Sequence, residues 1–355
     1  MDTTLISLRT VIGSPMSLVA PAFQIMELQI PNQVVKWSPR QRLLTIEDLA
    51  HHTRFLGTAA LYGNRFLLAD YTDWLKVLAK KLGFHRESLA RSVNILSAAA
   101  RSVLAEADSE RFSEYCAIAE NNLVSPDTPD NVYDKEPGIG NLYVRQYLEA
   151  LLGGKRSYST QLVHNLVSQG KTLIDLYDEL FIPSQQELGY LWHNGKISVV
   201  QEHYVTAATQ AIISGLYGQF FHDASDDNPT MFAACAEGEL HEIGIRYIAD
   251  YFQSVGWNTR YFGSNVPGED LLHEIMAKKP AVVALSATLA IHLPNVESLI
   301  RQLKMQKDYD PAILIGGHAV SVSGDLWQKL GADGSALRAQ KAYAIAEDRV
   351  HRHHL

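Results

Sequence analysis

Between about Ile46 and Val124, apolar residues recur every three or four positions with Ala, Leu, Arg and Ser among them, the spacing of helices that bury one face. Asp73–Lys81 and Arg86–Ala107 carry the pattern most clearly; Gly83 is expected to end one helix and the next to start around His85. Met1 to Arg42 lacks a clean period and is expected to be less regular. At Ser125 to Gly140 prolines, glycines and acids displace any period, which predicts a linker over residues 126–140 and a mostly helical first domain over residues 1–125. Four helical stretches follow, Asn141–Leu152, Ser157–Ser168, Lys171–His193 and Ser198–Phe221, parted by Gly153-Gly154, Gly170 and Gly195. Such short reversals make antiparallel neighbours and predict a four-helix bundle over residues 141–225.

The period then changes. Met231–Ala236, Thr259–Phe262, Ala281–Ser286 and Ile313–Ile315 are short apolar or β-rich runs, with a weaker fifth near Ala332–Ala336. Between them lie the helical segments Glu242–Ser254, Asp270–Ala277 and Leu293–Met305. This alternation predicts a Rossmann-like, doubly wound parallel sheet over residues 226–355, and an overall class of α plus α/β. Ligands of such sheets sit at the carboxyl ends of the strands.

Composition narrows the class. The chain has 355 residues, 46% hydrophobic and 20% charged, which suits two or three globular domains. It holds neither a long apolar run nor a leader pattern, and its two cysteines form no disulfide framework, so a cytoplasmic protein away from membranes is expected. The net charge is -8. Residues 1–135 hold 14 Lys and Arg against 15 Asp and Glu, and the remainder 17 against 24, so no basic surface calls for nucleic acid.

Directly after the first predicted strand stands Glu239-Leu240-His241-Glu242-Ile243-Gly244. An acid two residues before a loop histidine can accept one ring N–H and leave the other nitrogen to bind a metal. Gly244 would let the next helix approach a bulky ligand. Ser286 and Thr288, after the third strand, offer hydroxyls, and Gly316-Gly317, after the fourth, lets backbone lie against something flat. Three signals thus fall on three strand ends of one sheet.

This arrangement resembles the cobalamin-binding domain family, whose signature runs Asp or Glu, x, His, x, x, Gly, then a Ser-x-Leu/Thr segment and a Gly-Gly pair. The resemblance implies a corrinoid with His241 as lower axial ligand to cobalt and its nucleotide tail in a slot past Ser286, Thr288, Gly316 and Gly317. Glu239 departs from the commoner Asp, and a longer hydrogen bond to His241 is expected from the extra methylene. Upstream, Trp192-His193 and, after further spacing, Glu202-His203 resemble the signature of CarH-type light sensors, which bind adenosylcobalamin. By that resemblance Trp192 shields the adenosyl group, Glu202 accepts its ribose hydroxyls, His203 completes the motif and His193 captures cobalt from above after photolysis.

CarH-type proteins begin with a helix-turn-helix of the MerR sort, a pattern the first segment here lacks. The architecture is closer to the photocobilins, which join such a module to a helical region that holds a bilin. His51, His52, Arg54, Tyr62, Arg65, Tyr71, Trp74 and His85 are the side chains that could wall a biliverdin; Cys116 is expected to be an inert, buried thiol. The expected function is an adenosylcobalamin photoreceptor that changes its self-association in light and signals to a separate effector, without catalysis. A corrinoid methyl-transfer protein and a light-independent cobalamin-responsive anti-repressor or adaptor are the alternatives.

Overall fold

The computed structural model describes residues 5–127, 133, 141–221 and 227–353, with side chains to residue 350. Most of the predicted linker therefore lies outside the described residues. The chain divides into two compact units, one of Met1–Asn131 with Leu289–Pro294 and Val322–Leu326, the other of Val132–Thr288, Asn295–Ser321 and Trp327–Leu355.

The first unit is helical: α1 (Leu8–Gly13), α2 (Met16–Gln29), α3 (Pro31–Val34), α4 (Pro39–Leu61), α5 (Arg65–Leu82), α6 (Arg86–Val103) and α7 (Glu106–Val124). Local chemistry sets the boundaries. Ser38 and Gln41 form a capping box at α4, Asn64 accepts from the backbone of Phe66 and Leu67 at α5, and Gly83 closes α5 in the left-handed region at φ 70. The expectation of an irregular start is corrected, since α1 to α3 fill most of it. Pro31 and Pro39 stand at first helical positions, where a missing N–H costs nothing. Tertiary packing does the rest: Leu8, Val11, Leu18 and Val19 are fully buried, and a Cβ on Gly57 of α4 would meet Ile12 Cγ1 at 2.9 Å.

In the second unit α8 (Leu142–Leu152), α9 (Arg156–Ser168), a helix running from α10 (Leu173–Leu176) through a π turn at Tyr177–Phe181 into α11 (Ile182–His193), and α12 (Val199–Phe220) surround Tyr147, Leu151, Tyr177 and Phe181. Pro183 explains the π turn. Without an N–H it cannot serve the Glu179 carbonyl, which instead accepts from Asn141 Nδ2 at 2.6 Å.

The sheet comprises β1 (Thr230–Cys235), β2 (Asn258–Tyr261), β3 (Val282–Ser286), β4 (Ala312–Gly316) and β5 (Gly334–Ser335), all parallel in the order β2-β1-β3-β4-β5. Helices α13 (Ile243–Ser254), α14 (Gly268–Lys278), α15 (Leu293–Lys304) and α18 (Ala339–His353) accompany it, with short α16 (His318–Val322) and α17 (Leu326–Lys329) between β4 and β5. Met231, Ala233 and Cys235 of β1 share one core with Val282, Ala284, Ala312 and Leu314, and with Ala249, Phe252, Ala342 and Ala346 from α13 and α18. The expected helical region, bundle and doubly wound sheet are thus present, and burial of core side chains such as Phe252 contributes roughly 2–3 kcal/mol each.

Candidate functional site

The loop from β1 to α13 is held before any ligand enters. Asn265, in the left-handed region at φ 51, donates its N–H to the Glu239 carbonyl at 2.8 Å, and its side-chain oxygen accepts from Gly238 N at 2.8 Å. Sequence reasoning missed Asn265. Its only signal is a turn-forming residue near Gly263, one shared by any turn.

Glu239 is completely buried yet well partnered. Its Oε1 accepts from His241 N at 2.9 Å and His241 Nδ1 at 2.5 Å, and its Oε2 accepts from Thr288 N at 2.7 Å. The expected lengthening is therefore corrected: the extra methylene lets one carboxylate reach the histidine and the loop after β3 together. With Nδ1–H committed to Glu239, the Nε2 lone pair is left for a ligand, and the side chain is 60% exposed. The hydrogen bond to Glu239 raises the His241 pKa; burial works against it, and the charges of Glu239 and Glu202 add to the rise.

The glycine pair has a second, internal reason. Gly317 adopts φ 98, and a Cβ there would lie 2.3 Å from the Ala287 carbonyl oxygen, while one on Gly316 would lie 3.4 Å from that of Ala336. Gly317 thus lets the loop after β4 press on Ala287-Thr288, the segment whose N–H holds Glu239. Gly244 is different, since a Cβ there meets nothing within 4 Å. Strand register sets Cys235, Ser286 and Gly316 side by side at the carboxyl ends of β1, β3 and β4. Beneath them lie Ala233 and Ala284. The Cys235 thiol, pushed up by burial, stays protonated, as does that of Cys116.

On the bundle, α11 ends with Trp192-His193 and Ser198 caps α12, which carries Glu202 in its first turn. Trp192 is half-buried and meets the buried His193 edge-on, their rings 6.2 Å apart. Glu202 Oε1 accepts from Thr206 Oγ1 at 2.8 Å, and Oε2 from the exposed His203 Nδ1 at 2.6 Å. Glu202 and His241 come close enough to act on each other electrostatically. Tyr133, also missed, stacks on His193 at 5.6 Å and hydrogen-bonds His318 Nε2 at 3.0 Å.

Of the side chains expected for a bilin, Trp74 stacks on Tyr71 with ring centroids 6.4 Å apart. His52 Nδ1 and the Tyr71 hydroxyl bond each other at 2.6 Å in the interior of the helical unit, whereas His51, Arg65 and His85 are exposed. Phe55, absent from the expected set, stacks on Tyr71 at 4.3 Å.

An imidazole oriented by a buried acid, beside a row of small side chains at three strand ends, suits a corrinoid by offering one nitrogen donor for cobalt. Residues 229–346 match the B12 binding domain family, and residues 143–217 match a second family also described as a B12 binding domain. Both matched stretches are thus similar to B12 binding domains. Among individual proteins, the chain is similar to the HTH-type transcriptional repressor CarH of Myxococcus xanthus, 24% identical over half of this chain (50%) and 59% of that protein. It thus spans little more than half the length of that repressor. It is also similar to dimethylamine corrinoid protein 1 of Methanosarcina acetivorans, 24% identical over 57% of this chain and 97% of that one. The structure of the Methanosarcina barkeri monomethylamine corrinoid protein aligns with 56% of this chain and 94% of its own, at 19% identity and a TM-score of 0.49. Among the described residues no helix is long and apolar enough to cross a membrane.

Proposed function

We propose that this chain is an adenosylcobalamin photoreceptor in which His241 holds the cofactor from the sheet and Trp192, His193 and Glu202 govern its upper face. The observation that carries this reading is that Trp192 and His193 end α11 while Glu202, held by the Thr206 hydroxyl, stands in the first turn of the next helix, α12. Ser286, Thr288, Gly316 and Gly317 line the tail's path, and Gly244 admits the ring beside α13. The bound cofactor supplies a light-labile cobalt–carbon bond. Trp192 presents an apolar indole to the departing group, Glu202 presents acceptors for ribose hydroxyls, and His193 stands on the helix end from which an imidazole can turn inward. A change of upper ligand need favour one packing of the bundle by only a few kcal/mol to alter self-association or an effector's docking.

The test is to load the full chain with adenosylcobalamin in darkness and record absorption and size-exclusion profiles before and after green light. A light-driven spectral shift with a change in elution volume is expected; an unchanged spectrum rules the photoreceptor out. Residues 1–125 would then act as the sensory or interaction domain, and a long-wavelength band on adding biliverdin would make it a second chromophore site. A methyl-transfer role is the competing reading, favoured by the alignment over 97% of the dimethylamine corrinoid protein. Tight binding of methylcobalamin with no discrimination for an adenosyl group would support it.

A further inference from the structure

Glu202 does not stand alone on α12. Thr206, one turn on, places its hydroxyl 2.8 Å from Glu202 Oε1 and 2.9 Å from Gln185 Oε1 of α11. A threonine hydroxyl has one hydrogen and cannot donate to both. The carboxylate is the stronger acceptor, because a charge-assisted hydrogen bond outweighs a neutral one. Gln185 must then turn its amide so that Nε2 donates to Thr206. That turn costs little: the contact it gives up, from Gln185 to Thr209 Oγ1, is 3.4 Å long, and the Thr209 hydrogen is already spent on the Val205 carbonyl at 2.9 Å.

The result is a directed relay, Gln185 to Thr206 to Glu202, with His203 on the other carboxylate oxygen at 2.6 Å. Both oxygens keep a lone pair after these bonds. An otherwise mobile glutamate at a helix start is thereby fixed before the ligand arrives, which removes the cost of ordering it on binding.

We propose that Thr206, backed by Gln185, is the positioning residue that sets the preference of this site for an upper ligand bearing vicinal hydroxyls, of the nucleoside class, over a simple alkyl group. This rests on the reading of Glu202 as the acceptor for that ligand. The preference arises because a diol needs two acceptor lone pairs already in place, whereas a methyl group takes nothing from the relay.

The test measures affinities for adenosylcobalamin and methylcobalamin in darkness for the full-length wild type, Thr206→Val, Thr206→Ser and Gln185→Met. Wild type is expected to prefer the adenosyl form. Thr206→Val should reduce that preference about tenfold, the worth of one hydrogen bond to a charged group, with methylcobalamin binding unchanged. Thr206→Ser should restore it, and Gln185→Met should give a smaller loss, about threefold. Unchanged methylcobalamin binding certifies the fold of each variant; if Thr206→Val fails that control, Gln185→Met decides. A wild-type preference that survives both substitutions overturns the role of the relay and leaves the reading of Glu202 intact. A wild type without preference overturns both.

Discussion

Two histidines, each tied through Nδ1 to one oxygen at nearly the same distance, come out as opposite kinds of residue. His52 sits inside the helical unit, 2.6 Å from the Tyr71 hydroxyl, and burial lowers its pKa to about 4. His241 stands at the sheet's rim, 2.5 Å from Glu239, which raises its pKa. Partner charge and exposure, rather than the hydrogen bond itself, separate them. A neutral partner in a closed core leaves a packing residue that accepts a hydrogen bond from the tyrosine; an ionised partner beneath an open ring leaves an oriented ligand with one nitrogen turned outward.

The sharpest break of this contrast is His241→Ala. It should lower cobalamin affinity by more than about a hundredfold and abolish the absorption of a histidine-ligated corrinoid, since loss of a partner behind a ligand already costs about ten- to a hundredfold. Persistence of that spectrum would remove His241 as the ligand. His52→Gln should leave cobalamin binding as it is.

His52 makes its mark on stability instead. Its folded pKa of about 4 lies below the ordinary 6.5, so the unfolded chain binds more protons in between and stability rises with pH. The contribution is whole above pH 6.5 and lost as pH falls toward 4, by roughly 3 kcal/mol. Denaturant titrations at several pH values should show a shallower slope across this window for His52→Gln, which keeps an acceptor for Tyr71. Equal slopes would mean that His52 is not held neutral.

Glu239→Gln isolates the partner's charge. Three donors converge on Glu239, and an amide offers them one oxygen while setting its own NH2 against another. Cobalamin affinity should fall about tenfold or more, with ligation weakened before binding is lost. Binding indistinguishable from wild type would show that the exposed ring needs no orienting acid.

How much of this was legible in the chain depends on the range of the interactions. Glu239 and His241 are two residues apart, so their bond follows from a local pattern, as do the Asn64 cap and the Gly83 stop. The strands were readable because each is a short apolar run bounded by turn residues. Thr206 with Gln185, Tyr133 with His193, and Asn265 with Glu239 are pairs created by folding, between residue types too common to flag. The helices before Arg42 were hidden for a related reason: their burial against later helices, rather than a clean period of their own, makes them helical. Gly317 was noticed only for a ligand; its second neighbour, Ala287, is brought against it by folding.

The smallest effect tests that last lesson. Gly317 is required by the protein itself, whereas Gly244, in the first turn of α13, has open space where its Cβ would be and a backbone outside the left-handed region. Gly244→Ala should therefore leave stability unchanged or raise it by up to about 1 kcal/mol of helix propensity, read as an equal or slightly higher Tm. Only a large ligand lying against that turn would feel the added methyl. A several-fold loss of cobalamin affinity at undiminished stability would place the corrin ring beside α13, and unaltered affinity would move it away from that helix while leaving the ligand role of His241 untouched.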